Sequence, residues 1–583
     1  MPLLRGVTGR WPGAPSMSAL QMLLSAGGDA VGQVPSSRWS PSGGVTDHGA
    51  FLMGAENFDN ACFGISLAEA SAMDPQQRLL LECGYTSLHA AEQQRESLHA
   101  SNVGVFLGMM NTDFEALQAD CNSAYAATGG TISIAAGRLS FVLGVTGPCL
   151  SLDTACSSAL VALHSATLSL RSNECNMALA LAVSLMLSPK RSVAYNSAGM
   201  LSSDGRCKTF DRRANGYVRG EGVGAAILSA DFTGDSSLQG SSVRSDGRSA
   251  SLTAPNGVMQ TAMLREAMAT VVHRIGIIEA HGTGTALGDP TEVGALERAH
   301  GHGADMCIGG VKANLSHTEP AAGMLGMCKL VHMLKGGVSF ANARLRALNP
   351  LLKDPVRNLN ARLSSQEMES CSAVGGVSSF GYSGTIAHAV LSHDDGDAVV
   401  ALRSGALRLD ARPALALKRR VFAWRDLPCA QDTDEAVCAY IACWTEAHPL
   451  VHKKNTSLDG MLVLNSSADP LKIAERQSLR IGAPTSHAAP EALQWRAVAA
   501  ALNGSDSAAP SVHGVQLVLV LAKLLARSPQ PPRLLILTAG TQLTCPASAP
   551  PSAVATAQGG AWGLARVLRL EHPALQTLSI DAQ

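Results

Sequence analysis

Residues 145–171 admit few folds. Val145-Thr146-Gly147-Pro148 reads as a turn into a short strand, and the run 157–171 behind it places Ala159, Leu160, Ala162, Leu163, Ala166 and Leu170 at helical spacing. Between them lies Asp153-Thr154-Ala155-Cys156-Ser157-Ser158, which sets a small thiol side chain near a helix N-terminus. Unpaired backbone N–H groups and the positive end of the helix dipole favour a thiolate there, and the thiolate is the attacking species. Most lone cysteines in apolar chains are buried packing residues, and that description suits Cys62, Cys83, Cys175 and Cys328. Cys156 differs in its Thr and Ser flanks and in the partners supplied downstream.

Those partners are two histidines in similar settings. The apolar run 275–280 has the character of a buried strand, and His281 follows it over the loop Gly282-Thr283-Gly284-Thr285. The strand-like run 307–311 likewise precedes Lys312-Ala313-Asn314-Leu315-Ser316-His317. A side chain at a strand end is fixed by a rigid element yet open to a ligand. Glu319-Pro320 opens a helix whose stretch 321–334 is apolar almost all round and hence buried, with Gly336 just past its end. One histidine among 17 is usually a bystander, and a lysine is usually at the surface. Two histidines at strand ends, a lysine after Gly-Gly-Val and a candidate nucleophile together form the set that a carbon–carbon bond-forming acyltransferase needs.

With these residues the chain resembles the ketosynthase domain of type I polyketide synthases, within the thiolase-like superfamily. The resemblance is carried in order by Arg10-Trp11-Pro12-Gly13, Phe63-Gly64-Ile65-Ser66, Met73-Asp74-Pro75-Gln76-Gln77-Arg78, Thr154-Ala155-Cys156-Ser157-Ser158 and the runs 201–211, 216–222, 252–257, 281–290, 312–323 and 378–388. It implies an α/β, five-layered αβαβα fold over residues 1–393, in a homodimer. It also implies that Cys156 carries an acyl chain, and that His281 and His317 hydrogen-bond the oxygen of a malonyl-type thioester as it loses carbon dioxide. Lys312, with Glu319, would set the local charge and orient a histidine. The backbone N–H groups of Cys156 and Tyr382 would form an oxyanion hole, Tyr382 standing where the family has a gating aromatic, usually Phe. The substrates would be acyl and malonyl thioesters on the phosphopantetheine of an acyl carrier protein. No cofactor or metal is implied, and other synthase domains would act in trans.

Two departures stand out. Ile386 replaces the Asn of the family's usual Gly-Thr-Asn-Ala-His, a swap that could leave a buried partner unpaired at a cost of ~1–3 kcal/mol. Leu181-Ala182 replaces a Gly-Gly pair in the strand after the nucleophile helix. The nucleophile and both histidines are nevertheless present, against the alternative of a docking module or a decarboxylase that does not elongate. An NADPH-dependent oxidoreductase is disfavoured, because the loop 282–288 has one residue too many for GxGxxG.

Beyond residue 393 the character changes. Residues 394–435 read as a linker, and Lys418-Arg419-Arg420-Val421-Phe422-Ala423-Trp424 as a basic-aromatic segment that packs back on the body. Residues 436–583 resemble the structural half of a polyketide synthase ketoreductase, a smaller, truncated Rossmann-like α/β domain without its nucleotide-binding half. Its opening strand is expected at 440–444, a later strand at 534–538 and a closing helix at 563–573. No acyltransferase, carrier or dehydratase motif is evident, so extender units and carriers are expected from elsewhere. With 46% hydrophobic and 16% charged residues and a net charge of −1, the chain has ample core material and no basic face for nucleic acid. Fourteen cysteines without CxxC pairs argue against zinc and a disulfide framework, and for a reducing compartment, cytoplasmic or organellar. The apolar runs 177–187 and 515–525 are too short to span a bilayer.

Overall fold

Strands that are apolar without alternation are stable only when both faces are covered. Met177–Ser184 and Gly222–Ser229 are of this kind, buried along almost their whole length. The computed structural model describes residues 1–40, 47–110, 113–117, 124–231, 236–369, 372–393 and 415–424, with the backbone of 461–465, 497–501, 533–539 and 578–582. Ten strands form one sheet: β1 Leu3–Arg10, β2 Val103–Gly108, β3 Cys149–Leu152, β4 Met177–Ser184, β5 Gly222–Ser229, β6 Ser236–Ser245, β7 Ile277–Glu279, β8 Cys307–Gly309, β9 Val374–Phe380 and β10 Thr385–His393. Their order is β8-β7-β9-β10-β6-β1-β5-β4-β2-β3.

That order is a repeat. The half β3-β2-β4-β5-β1 and the half β8-β7-β9-β10-β6 each run through two parallel and then two antiparallel pairings. They meet through the pair Leu3 and Ser237. Helices α1 Pro75–Ala90 and α2 Ile132–Leu143 cover the outside of the first half, and α4 Gly257–Met268 and α5 Gly288–His300 the outside of the second. Between the halves lie α3 Ser158–Arg171 and α6 Ala322–Gly336, which touch strands of both. Three apolar clusters fill the spaces between the layers, so the architecture is the five-layered αβαβα stack.

The central layer depends on small residues. A Cβ added at Gly323 of α6 would lie 2.6 Å from Cγ of Leu160 on α3, so the two helices approach more closely there than any larger side chain allows. Helix α6 is buried on nearly all sides. It even carries Lys329 fully inside, with its ammonium 2.7 Å from Oε2 of Glu279 at the end of β7. A buried charge of that kind is tolerated only with an opposite partner. The helix ends one residue later than the sequence implies: Gly336 is its last residue, and Gly337 takes the left-handed cap at φ 60°.

Ile386, on β10, sits in the apolar cluster with Phe210, Ile278 and Val390, so an apolar environment surrounds the apolar residue. Leu181 and Ala182 lie in the buried strand β4, paired with Leu107 and Gly108 on one side and Ala225 and Gly224 on the other. The segment 418–424 lies against the first half. Arg420 and Val421 pair with Phe58 and Asn57, Arg78 donates to the Phe422 carbonyl at 2.9 Å, and Arg38 lies 4.9 Å from the Trp424 ring. The second compact unit, 433–583, contributes four parallel strands in chain order: β11 Met461–Asn465, β12 Ala497–Ala501, β13 Arg533–Ala539 and β14 Leu578–Ala582. Strand β13 covers the expected strand at 534–538, while the expected elements at 440–444 and 563–573 and the run 515–525 lie outside the described residues. Among the described residues no helix is long and apolar enough to cross a membrane.

Burial lowers His388, on β10, to about 3. The unfolded chain therefore takes up a proton near the ordinary histidine value that the folded chain refuses, so this residue stabilises the fold above about pH 6.5 and the contribution is lost as pH falls toward 3. Buried carboxyls raised to about 7 at Asp74 and Glu292 and to about 6 at Asp289 act in the opposite direction over part of that window. The difference between wild type and His388→Asn isolates the histidine. In urea denaturation from pH 4 to 6.5 the variant should lack a slope of about 1.4 kcal/mol per pH unit.

Candidate active site

The sulfur sits on a strained turn. Ala155–Ser157 forms a 3-10 turn between β3 and α3, and Ala155 has φ +54°, a conformation that costs a residue with a Cβ ~1–2 kcal/mol. Its neighbours hold it there. Oδ1 of Asp153 accepts the Ala155 N–H at 2.9 Å, and Oγ of Ser158 accepts the Thr154 N–H at 2.9 Å while donating to the Ala155 carbonyl at 2.6 Å. Ser379 Oγ, from β9, donates to the Cys156 carbonyl at 2.6 Å. Ser157 Oγ donates to the carbonyl and to Oγ1 of Thr154 at 2.8 and 2.9 Å, and with these bonds the Thr and Ser flanks of the cysteine each have a partner. The turn after β9 then comes close enough to matter: a Cβ on Gly381 would lie 2.4 Å from the Thr154 carbonyl oxygen.

Three donors surround the sulfur. The backbone N–H groups of Tyr382 and of Cys156 itself point at Sγ, and Nε2 of His317 lies 3.0 Å from it. Burial nevertheless pushes the thiol up to about 12, helped by the charge of Glu319 and opposed by Lys312 and the two N–H groups. The N–H groups at the helix end do act in the direction of the thiolate, but burial acts against them and is larger. Desolvation of a residue only 7% exposed outweighs the helix terminus, and Cys156 rests as a neutral thiol.

Both imidazoles are held in one tautomer. The N–H of Glu319 donates to Nδ1 of His317 and the N–H of Phe380 to Nδ1 of His281, each at 3.3 Å. A neutral ring that accepts at Nδ1 carries its proton on Nε2. Both rings are neutral, held far below the ordinary histidine value by burial and then by the ammonium of Lys312. Their centroids are 5.4 Å apart with planes at 83°. Glu292 on α5 fixes the His281 loop by accepting the N–H groups of His281 and Gly282 at 2.7 and 2.9 Å. Tyr217 packs edge-on against His317 at 5.1 Å.

The structure thus brings Cys156, His281, His317 and the Tyr382 N–H together, and it buries Lys312 beside them. Lys312 sets the charge around both rings, and Glu319 orients His317 through its N–H rather than through its carboxylate. Both Glu319 oxygens are taken by Arg219, at 2.5 and 2.9 Å, whereas the carboxylates whose field acts on Lys312 are Glu279 and Glu292. The Tyr382 side chain is 39% exposed and meets Tyr195 edge-on at 5.9 Å. Sequence reasoning missed Arg219, Glu292, Ser379 and the Phe380 N–H. Arg219 stands inside the run 216–222 and Ser379 inside 378–388, so motif position alone flagged them without a task.

Known proteins resemble this chain in the same region. Family models described as "Beta-ketoacyl synthase, N-terminal domain" and "Beta-ketoacyl synthase, C-terminal domain" match residues 4–231 and 236–346. The chain is 40% identical over 420 residues, 66% of its length, to a phenolphthiocerol/phthiocerol polyketide synthase of Mycobacterium tuberculosis, covering 22% of that relative. It is 40% identical over 408 residues to a spectinabilin polyketide synthase system protein of Streptomyces orinoci, covering 66% of this chain and 11% of the relative. The chain therefore spans about a fifth or less of the length of these curated relatives. Among solved structures, the ketosynthase from module 6 of the bacillaene synthase of Bacillus subtilis superposes with a TM-score of 0.63 at 33% identity, over 68% of this chain and 72% of that one.

Two outcomes are expected from the sulfur's surroundings. Peptide mapping after iodoacetamide treatment should find Cys156 alkylation still rising with pH at pH 10; a plateau for Cys156 near pH 8 would contradict the neutral thiol. Gly381→Ala, which drives a methyl group into the Thr154 carbonyl, should slow acylation of Cys156 at least tenfold, read by intact-protein mass spectrometry.

Proposed function

The chain belongs to the beta-ketoacyl synthase family, and we propose that it joins acyl units by decarboxylative Claisen condensation in polyketide biosynthesis, with Cys156 as the acyl carrier. The observation that carries this reading is the pair of imidazoles fixed as Nε2–H donors beside a buried cysteine whose sulfur faces two backbone N–H groups.

The chemistry follows from those donors. Sγ of Cys156 attacks the carbonyl carbon of an acyl thioester, the oxygen takes the charge between the N–H groups of Cys156 and Tyr382, and the carbonyl reforms as the carbon–sulfur bond to the carrier breaks. The thiol proton leaves with the departing pantetheine sulfur, so neither histidine need accept it. A malonyl thioester then loses carbon dioxide, and its oxygen becomes an enolate held by Nε2–H of His281 and of His317. Each such donor in a dry site is worth about 3 kcal/mol. The enolate carbon attacks the acyl carbon on Cys156, Sγ departs as a thiolate that takes a proton from solvent, and a β-ketoacyl thioester remains on the carrier. Burial, with the ammonium of Lys312, keeps both rings neutral, and the N–H groups received at Nδ1 leave each ring's proton on Nε2 to donate.

The phosphopantetheine of an acyl carrier protein is the natural bearer of both substrates, and other synthase domains supply extender units. The eight cysteines described as free suit a reducing compartment. We read 1–393 as the condensing domain, 394–435 as the linker and 436–583 as a ketoreductase-like structural unit, for which four parallel strands in chain order are the support. A second copy of the chain would cover the outer edge of β3, where Leu150 is 42% exposed, together with Phe141 of α2, 86% exposed.

Cys156→Ala should abolish condensation with malonyl-carrier protein while leaving decarboxylation measurable, and His281→Ala should lower decarboxylation about 100-fold; unaltered condensation in the cysteine variant would refute the assignment. Sedimentation should find two copies per particle, and Phe141→Asp should weaken that association at least tenfold.

A further inference from the structure

We propose that Arg219 and Glu319 form a positioning pair that locks His317 as its Nε2–H tautomer. The inference rests on the ketosynthase reading for its effect on rate, but the tautomer itself can be measured independently.

Glu319 is in an unfavourable conformation, φ +47° in a 3-10 turn, and it follows a second left-handed residue, Ser316 at φ +69°. Non-glycine residues persist there only where their surroundings overdetermine them. The restraint on Glu319 is the forked guanidinium of Arg219, which takes both carboxylate oxygens with both side chains 2% exposed. Arg219 is itself anchored. It donates to Ser192 Oγ at 2.8 Å, its guanidinium lies 5.3 Å from the Tyr195 ring, and its neighbours Val218 and Gly220 bond the N–H and C=O of His317 at 2.9 and 2.8 Å. Arg219 therefore holds the backbone of His317 through its chain neighbours and the N–H of Glu319 through the carboxylate.

That N–H is the one donated to His317 Nδ1. If the pair is broken, residue 319 can relax toward negative φ and its N–H turns away. The ring is then free to move its proton to Nδ1, which leaves a lone pair on Nε2 facing the charge that develops on the substrate oxygen. A donor becomes a repulsive acceptor with no change in the identity of the histidine. Neither Arg219 nor Glu319 touches substrate in this scheme.

The test uses the full chain labelled with 15N-histidine, with the His317 signals assigned by comparison with His317→Ala. Wild type should give the Nε2–H pattern, and Arg219→Met and Glu319→Gln a mixture of tautomers. Decarboxylation of a malonyl thioester should fall 10- to 100-fold in kcat with KM within twofold. Arg219→Lys, which keeps the charge but loses the fork, should recover less than a tenth of the lost rate. If Arg219→Met does not fold, the nearly isosteric Glu319→Gln carries the test. An unchanged His317 pattern in a folded variant overturns the proposal. Wild type that neither accepts an acyl group nor decarboxylates malonyl thioester would refute the ketosynthase reading instead, leaving the tautomer measurement to judge the pair.

Discussion

Everything in the site hangs from the close crossing of α3 and α6. Gly323 lets the backbone of one helix approach Leu160 of the other, and the N-terminal turns of both helices are thereby brought to one place. One turn carries Cys156; the other carries the Glu319 N–H that orients His317. The strands on either side hold the helices in this position because strands such as β4 and β5 are apolar on both faces and must be covered. A larger residue at 323 would separate the turns before it touched Cys156 or His317.

Desolvation, more than any single charge pair, sets the chemistry of the cavity. It raises the Cys156 thiol to about 12 and lowers both histidines far below their usual range, so all three side chains are neutral at rest. The ammonium of Lys312 works against the thiol's rise and with the histidines' fall. A neutral donor set suits a reaction in which charge is transient and must be accepted only while it lasts. Strain at Ala155 and Glu319 is compatible with this, since each outlier turns a backbone N–H or a sulfur toward the same point.

Much of this was legible in the residues, and the illegible part has a physical reason. The strand-turn-helix around Cys156, the strand ends ahead of His281 and His317, and the buried character of α6 follow from periodicity and punctuation, and the structure has them. The resting state of the sulfur did not follow, because a helix terminus is visible in sequence whereas the depth of burial depends on both halves of the fold. The partner of Glu319 was missed for a related reason: Lys312 is seven residues away in the chain, while Arg219 is brought in from 100 residues away by the pairing of 218–220 alongside His317. Tautomers were undetermined until the N–H groups of Glu319 and Phe380 had positions.

The repeated halves of the sheet carry one more consequence. Turn Ala155–Ser157 follows β3 and turn Glu319–Ala321 follows β8, at matching places in the two halves, so Cys156 corresponds to Pro320. A reagent assembled from two identical chains would have to put the same residue at both places. Here the repeat is internal, so the two halves can differ at matching points: a cysteine at one turn, and at the other a proline beside the N–H that orients His317.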